Sequence, residues 1–206
     1  MKEIKAIVFD YGKVISFPPA DGVMDEIASL AGVKRELLEP LYWKFRGDYD
    51  RGDLPIVSGF YRKILDGLGR KVDDELLIKM GELDLNSWKN INPGTVELME
   101  EIKKAGYLLG ILSNMPFDFL EYARKNFPVF VLPHAGLFSC ELGLLKPEKA
   151  IYLKLLSVMG CQAEELVFFD DVPENVEKAL ELGIEARIWQ DCEKAHRDLA
   201  DLGLLL

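Results

Sequence analysis

Residues 166–183 read LVFFDDVPENVEKALELG, and the fold is decided by how this stretch divides. The run 166–169 is short, apolar and aromatic, as expected of a strand buried on both faces of a sheet. Asp170 and Asp171 end it abruptly. Over 174–182 the apolar residues return at helical spacing, and Gly183 supplies a C-terminal stop. A strand handed directly to a helix is half of a parallel β-α-β unit.

Three more apolar runs have the same character: 4–9 (IKAIVF), 108–112 (LLGIL) and 184–189 (IEARIW). A helix is predicted over 95–105, where Val96, Leu98, Met99, Ile102 and Ala105 share one side, with the turn Asn92-Pro93-Gly94 before it and Gly106 after it. Another is predicted over 147–159, closed by Gly160. The alternation predicts an α/β fold with a parallel sheet and helices on both faces. Residues 17–88 break it. They show helical periodicity without a strand, and Pro18-Pro19, Gly47, Gly52-Asp53-Leu54-Pro55 and Gly67 punctuate them. The expected organisation is a core of residues 1–16 and 89–206, with an all-helical insertion of residues 17–88 after the first strand.

A length of 206 residues suits one α/β domain with a modest insertion. With 49% hydrophobic and 29% charged residues, the chain reads as an ordinary globular protein. The net charge of −10 argues against nucleic acid or an anionic membrane as the main partner, since both reward clustered Lys and Arg. No segment has transmembrane length, and the N-terminal residues lack the pattern of a secretory signal. Cys140, Cys161 and Cys192 have no metal-site spacing and read as structural, reduced thiols, which places the chain in the cytoplasm as an expectation. His134 and His196 are too far apart in sequence to suggest a histidine metal site. Composition is silent on oligomeric state.

Ligands of open α/β sheets bind beyond the carboxyl ends of the strands. There the sequence offers Asp10-Tyr11-Gly12, Ser113-Asn114 and Asp170-Asp171, with Lys146 just before the 147–159 helix. Each residue alone has a bland reading as a helix cap or a solvated side chain. Together they bring three carboxylates, a cation and a hydroxyl from four loops. Adjacent aspartates closing a buried run are costly unless a cation or hydrogen-bond donors compensate, and a hard divalent ion such as magnesium is the economical answer for oxygen ligands.

The segments VFDYGKVI, ILSN, ELGLLKPEKAIY and FFDDVPENVEKALELGI resemble, in order, the four motifs of the haloacid dehalogenase superfamily. The 17–88 insertion resembles that superfamily's helical cap. The resemblance implies a Rossmannoid core and a phosphatase in which Asp10 attacks phosphorus and becomes an aspartyl phosphate. Mg2+ would be held by Asp10, the Gly12 carbonyl and Asp171, with Asp170 acting directly or through water. Ser113 and the Asn114 amide would bind the phosphate, and Lys146 would neutralise charge. The implied partner is a small phosphorylated metabolite.

The match departs at Gly12, where most phosphatases of the superfamily carry an aspartate as general acid and base. Such a group contributes about 10²–10⁴ in rate. Its absence leaves three readings: a slow enzyme, another group doing the work, or leaving groups that need little protonation. In line with the third, DYGKVI resembles a motif variant of the branch containing glucose 1-phosphate phosphatases. Lys13, unusual in that branch, reads as facing solvent, with pointing into the site as the alternative. In the insertion, Trp43, Phe45 and Tyr49 read either as a local core or as contacts to a sugar face, and Arg46 as a partner for an anionic group of the substrate. Two other functions compete with this reading. A haloacid dehalogenase would place Tyr two residues after the nucleophile, where Gly12 stands, and would lack the acidic pair. A regulatory phospho-ligand-binding protein fits the missing acid but has no need of a nucleophile.

Overall fold

The computed structural model describes residues 3–204; the outermost ends of the expected core, residues 1–2 and 205–206, lie outside the described residues. Five strands form one sheet: β1 (Ala6–Phe9), β2 (Leu108–Ser113), β3 (Ala135–Phe138), β4 (Leu166–Asp170) and β5 (Glu185–Ile188). Their order is β3-β2-β1-β4-β5, and every pairing is parallel. Strand β1 is central, with all four residues at 0% exposure, which is why its sequence is a continuous apolar run. Strand β3 has no counterpart in the sequence reading. It is a four-residue edge strand, AGLF, too short and too glycine-diluted to stand out as an apolar run.

Alternation along the strands divides the core between two faces. Ile7, Phe9, Leu109, Ile111, Val167 and Phe169 point to one face, under helices α5 (Pro93–Lys104), α6 (Phe117–Asn126) and α10 (Cys192–Asp201). Ala6, Val8, Leu166 and Phe168 point to the other, under α8 (Lys149–Met159) and α9 (Pro173–Glu181). Local chemistry fixes the helix starts. The Asn92 side chain accepts from the Gly94 amide at 3.1 Å, Pro93 sits at the first helical position, and the Asp191 side chain accepts from the Lys194 amide at 2.7 Å.

Between β1 and β2 lie α1 (Val23–Leu30), α2 (Arg35–Arg51), α3 (Arg62–Gly67) and α4 (Asp74–Ser87). They surround a cluster of their own, in which Tyr49 stacks on Phe60 at 4.6 Å among Ile27, Leu38, Ile64, Leu77 and Met80. The chain leaves and re-enters the sheet side by side: Phe17 donates its amide to the Asn90 carbonyl and Asn92 to that of Ile15. The end of α2 rests on α7 (Ser139–Leu142): the Ser139 hydroxyl donates to the Asp50 carbonyl at 2.5 Å, and Arg51 donates to the Gly143 carbonyl at 2.8 Å. Among the described residues, no helix is long and apolar enough to cross a membrane.

Gly52 closes α2 with φ +90°, and a Cβ there would lie 2.6 Å from the Phe117 ring and 3.1 Å from the Cys140 carbonyl oxygen. Gly69 has φ +65° with open space around it. Gly52→Ala is therefore expected to destabilise the protein by about 1–3 kcal/mol, and Gly69→Ala by distinctly less, in urea unfolding. Equal losses would show that the backbone conformation matters and the helix junction does not.

Candidate active site

Parallel pairing brings the ends of β1, β2 and β4 to one edge of the sheet. Phe9 is in register with Ile111 and with Phe169, so Asp10, Ser113 and Asp170 emerge together. After Asp10 the chain makes one wide turn over Tyr11–Ile15, closed by the Ser16 amide donating to the Tyr11 carbonyl at 2.9 Å. Lys13 has a left-handed backbone in this turn, with φ 59°. Tyr11 anchors it: the ring packs on Phe119 and Phe130, and the hydroxyl donates to the Trp88 carbonyl at 2.8 Å.

Lys146 joins the strand ends. Its ammonium lies 2.8 Å from Asp10 Oδ1 and 2.6 Å from Asp170 Oδ2, with all three residues buried. The contact to Asp170 is a hydrogen bond, whereas the one to Asp10 is an ion pair poorly aligned for one. Burial works to lower the Lys146 pKa, but the two carboxylates outweigh it and hold the ammonium above its ordinary range. Burial pushes the Asp10 carboxyl up to about 6, with Lys146 pulling the other way and Asp170 adding to the rise. A third carboxylate, Asp171, offers an oxygen such that one atom each from Asp10, Asp170 and Asp171 lies within 4.8 Å of the others. Lys13 Nζ reaches the Asp171 carboxylate at 3.1 Å, so it faces the site rather than solvent alone. This all-oxygen donor set, with more negative than positive charge at a buried point, fits a hard divalent cation.

Two asparagines hold the charged groups in place. The Asn114 side chain clasps the backbone of Lys146, donating to its carbonyl at 2.9 Å and accepting from its amide at 2.8 Å. Asn175 Nδ2 donates to both oxygens of Asp170 at 3.0 Å, and the Val172 amide donates to Oδ1 at 2.8 Å. The sequence reading assigned Asn114 only through its backbone amide and missed Asn175. A signal for Asn175 was available, since it is a polar residue beside Val176 and Ala179 on the buried side of a short helix.

Above these groups is a cavity of about 270 Å³, walled by the strand-end loops and by α2, α4 and the segment after α4. Arg46 lines it, but its Nε donates to Asp50 Oδ1 at 2.8 Å and another guanidinium N–H donates to the Tyr42 hydroxyl. Tyr49 lines the cavity and also belongs to the helical core; Trp43 lines it and is 56% exposed; Phe45 packs against the helical core. Gly12 faces Trp88, whose ring would lie 3.4 Å from a Cβ at that position. Cys140, Cys161 and Cys192 are free thiols outside the cavity.

A family model described as haloacid dehalogenase-like hydrolase matches residues 4–183. Phosphatase MT3486 of Mycobacterium tuberculosis is 24% identical over 218 residues, covering 98% of this chain and 97% of that protein. Bifunctional epoxide hydrolase 2 of Sus scrofa is 26% identical over 150 residues, covering 71% of this chain. The matched region spans about a quarter of that larger protein, 27% of its length. Among solved structures, a Bacteroides thetaiotaomicron HAD family enzyme in complex with magnesium and inorganic phosphate superposes with a TM-score of 0.72 at 21% identity, over 91% of this chain and 94% of that one. At this identity the superposition speaks for the fold. With the family match running from the first strand through the helix after Asp171, the chain belongs to the haloacid dehalogenase-like hydrolases.

Proposed function

We propose that this chain is a magnesium-dependent phosphomonoester hydrolase working through an aspartyl phosphate on Asp10, with a small phosphorylated metabolite such as a sugar 1-phosphate as substrate. The observation that carries the reading is the meeting of Asp10, Asp170 and Asp171 around buried Lys146 beneath a cavity. The full-length likeness to a protein named as a phosphatase supports it. The haloacid dehalogenase alternative would leave the three clustered carboxylates without a purpose.

The carboxylates of Asp10 and Asp171 and the Gly12 carbonyl, with Asp170 directly or through water, would hold magnesium, which polarises phosphoryl oxygens and screens the site's negative charge from an anionic substrate. Ser113 and the Asn114 amide would donate to phosphate oxygens. An Asp10 oxygen would form a bond to phosphorus while the ester oxygen leaves with its electron pair. Water would then attack the same phosphorus, release inorganic phosphate and free the Asp10 carboxylate. Lys146 would offset charge on Asp10 throughout, which its position between two carboxylates suits. Helices α1–α4 would act as a cap that excludes water during transfer. With glycine at position 12, substrates whose leaving oxygen is weakly basic would be favoured.

Phosphate release from a panel of phosphomonoesters in magnesium is expected, with none in EDTA and none from Asp10→Asn. No release from any substrate by a folded, magnesium-binding protein would favour a regulatory binder instead. Glucose 1-phosphate should turn over faster than glucose 6-phosphate, and the reverse order would remove the assignment to activated monoesters. Asn175→Ala should weaken magnesium affinity or turnover by about 10–100-fold by freeing Asp170, as read by calorimetry and steady-state kinetics. An unchanged affinity and rate would show that Asp170 needs no such support.

A further inference from the structure

The cavity wall contributed by α2 and α4 contains a second buried ionic cluster, separate from Lys146 and its carboxylates. Arg46, Asp50 and Asp84 all line the cavity, with Asp50 at 7% and Asp84 at 3% exposure. Their hydrogen bonds run in one direction. Arg46 donates to Asp50 and to the Tyr42 oxygen, so the single proton of Tyr42 is left to go to Asp84, at 3.1 Å from Oδ1 and 3.3 Å from Oδ2. Tyr61 donates to Asp84 Oδ2 at 3.0 Å. A carboxyl group receiving from two hydroxyls is arranged as an acceptor: burial pushes Asp84 up, and Asp50 up to about 6, while Arg46 and, at Asp84, the two hydroxyls pull toward the ionised form. The Arg46 guanidinium also lies over the rings of Tyr42, Tyr49 and Trp88, 5.6–5.7 Å from their centroids, so it is enclosed by its own wall.

The charges in this part of the wall are thus one guanidinium and two carboxylates. The other lining residues there, Trp43, Tyr49, Leu85 and Trp88, are uncharged. With the Arg46 cation engaged by Asp50 and Tyr42, the wall presents net negative charge and hydrogen-bond acceptors to whatever carries the phosphate. An ionised carboxylate has roughly four acceptor positions, more than the donors above fill at Asp50 and Asp84.

We propose that Asp84 and Asp50 are specificity-determining residues: they select phosphomonoesters whose organic part is uncharged and hydroxyl-bearing, and disfavour those with a second negative charge. The proposal rests on the phosphatase reading of the site and narrows its substrate class. Arg46 serves in it as the internal counter-charge that lets two carboxylates stay buried, not as a receptor for a second anion.

The test uses two esters with the same three-carbon backbone, glycerol 3-phosphate and 3-phosphoglycerate, which differ by a hydroxymethyl group against a carboxylate. Their binding is measured calorimetrically in magnesium with the Asp10→Asn protein, so that turnover does not interfere, and inorganic phosphate serves as reference. Glycerol 3-phosphate is expected to bind at least about tenfold more tightly, the scale of a like-charge contact in a partly desolvated pocket. Adding Asp84→Asn should shrink that ratio to about threefold or reverse it by improving 3-phosphoglycerate, whereas a merely structural role would weaken both ligands alike. Asp50→Asn is read in the same way should Asp84→Asn fail to fold. Equal affinities, tighter 3-phosphoglycerate, a ratio unmoved by the substitutions, or phosphate binding without either ester would overturn the proposal while leaving the phosphatase reading intact. Failure of phosphate itself to bind would remove the underlying reading, and this proposal with it.

Discussion

The ammonium of Lys146, buried between Asp10 and Asp170, is the interaction around which the rest is built. Removing any one of these charges from water costs several kcal/mol, and removing one partner would strand the others. Two carboxylates and one ammonium leave a net negative point in the interior; beside it Asp171 brings a third carboxylate, which the Lys13 ammonium partly offsets. The protein offsets part of this with directed donors, the Val172 amide and the Asn175 side chain on Asp170. The remainder is a standing preference for a cation, which is why the all-oxygen donor set and the chemistry proposed for it fit together.

That arrangement needs a scaffold that converges loops without exposing them. A parallel sheet provides it, because every strand ends at the same edge and the central ones are buried on both faces. Phe9, Ile111 and Phe169 in one register fix where Asp10 and Asp170 emerge, so the packing of apolar side chains sets distances between charged ones. Lys146 comes from outside the sheet and is placed differently, by the Asn114 side chain clasping its backbone.

The helical unit repeats the same electrostatic theme at the other side of the cavity. Arg46, Asp50 and Asp84 form a second buried group with one cation and two carboxylates, held by tyrosine hydroxyls rather than by strand-end amides. It is tied to the core mechanically, since Asp50 also gives its carbonyl to Ser139, whose oxygen in turn accepts the Met115 amide two residues after Ser113. The wall that would read the organic part of a ligand and the loop that would read its phosphate therefore share a buried hydroxyl.

By itself, the sequence determined the α/β class, four of the five strands, the helical character of residues 17–88 and the convergence of Asp10, Ser113, Lys146 and Asp170-Asp171. The elements follow from apolar periodicity, and Asp10, Ser113 and Asp170-Asp171 from polar residues set where buried runs stop, both of which are local; Lys146 stands instead in the loop before a helix. Strand β3 escaped because an edge strand of four residues with a glycine carries too weak a local pattern. What only the tertiary structure decided is pairing over distance. Nothing local in Arg46 says that it is enclosed by Asp50 and Tyr42, although Asp50 lies one helical turn away, because the enclosure depends on Tyr42 also meeting Asp84 from another helix. Lys13 beside Asp171 and Asn175 beneath Asp170 are of the same kind. Hydrophobic periodicity records which face of an element is buried; which charges then meet is set by packing between elements, and the sequence writes that down only indirectly.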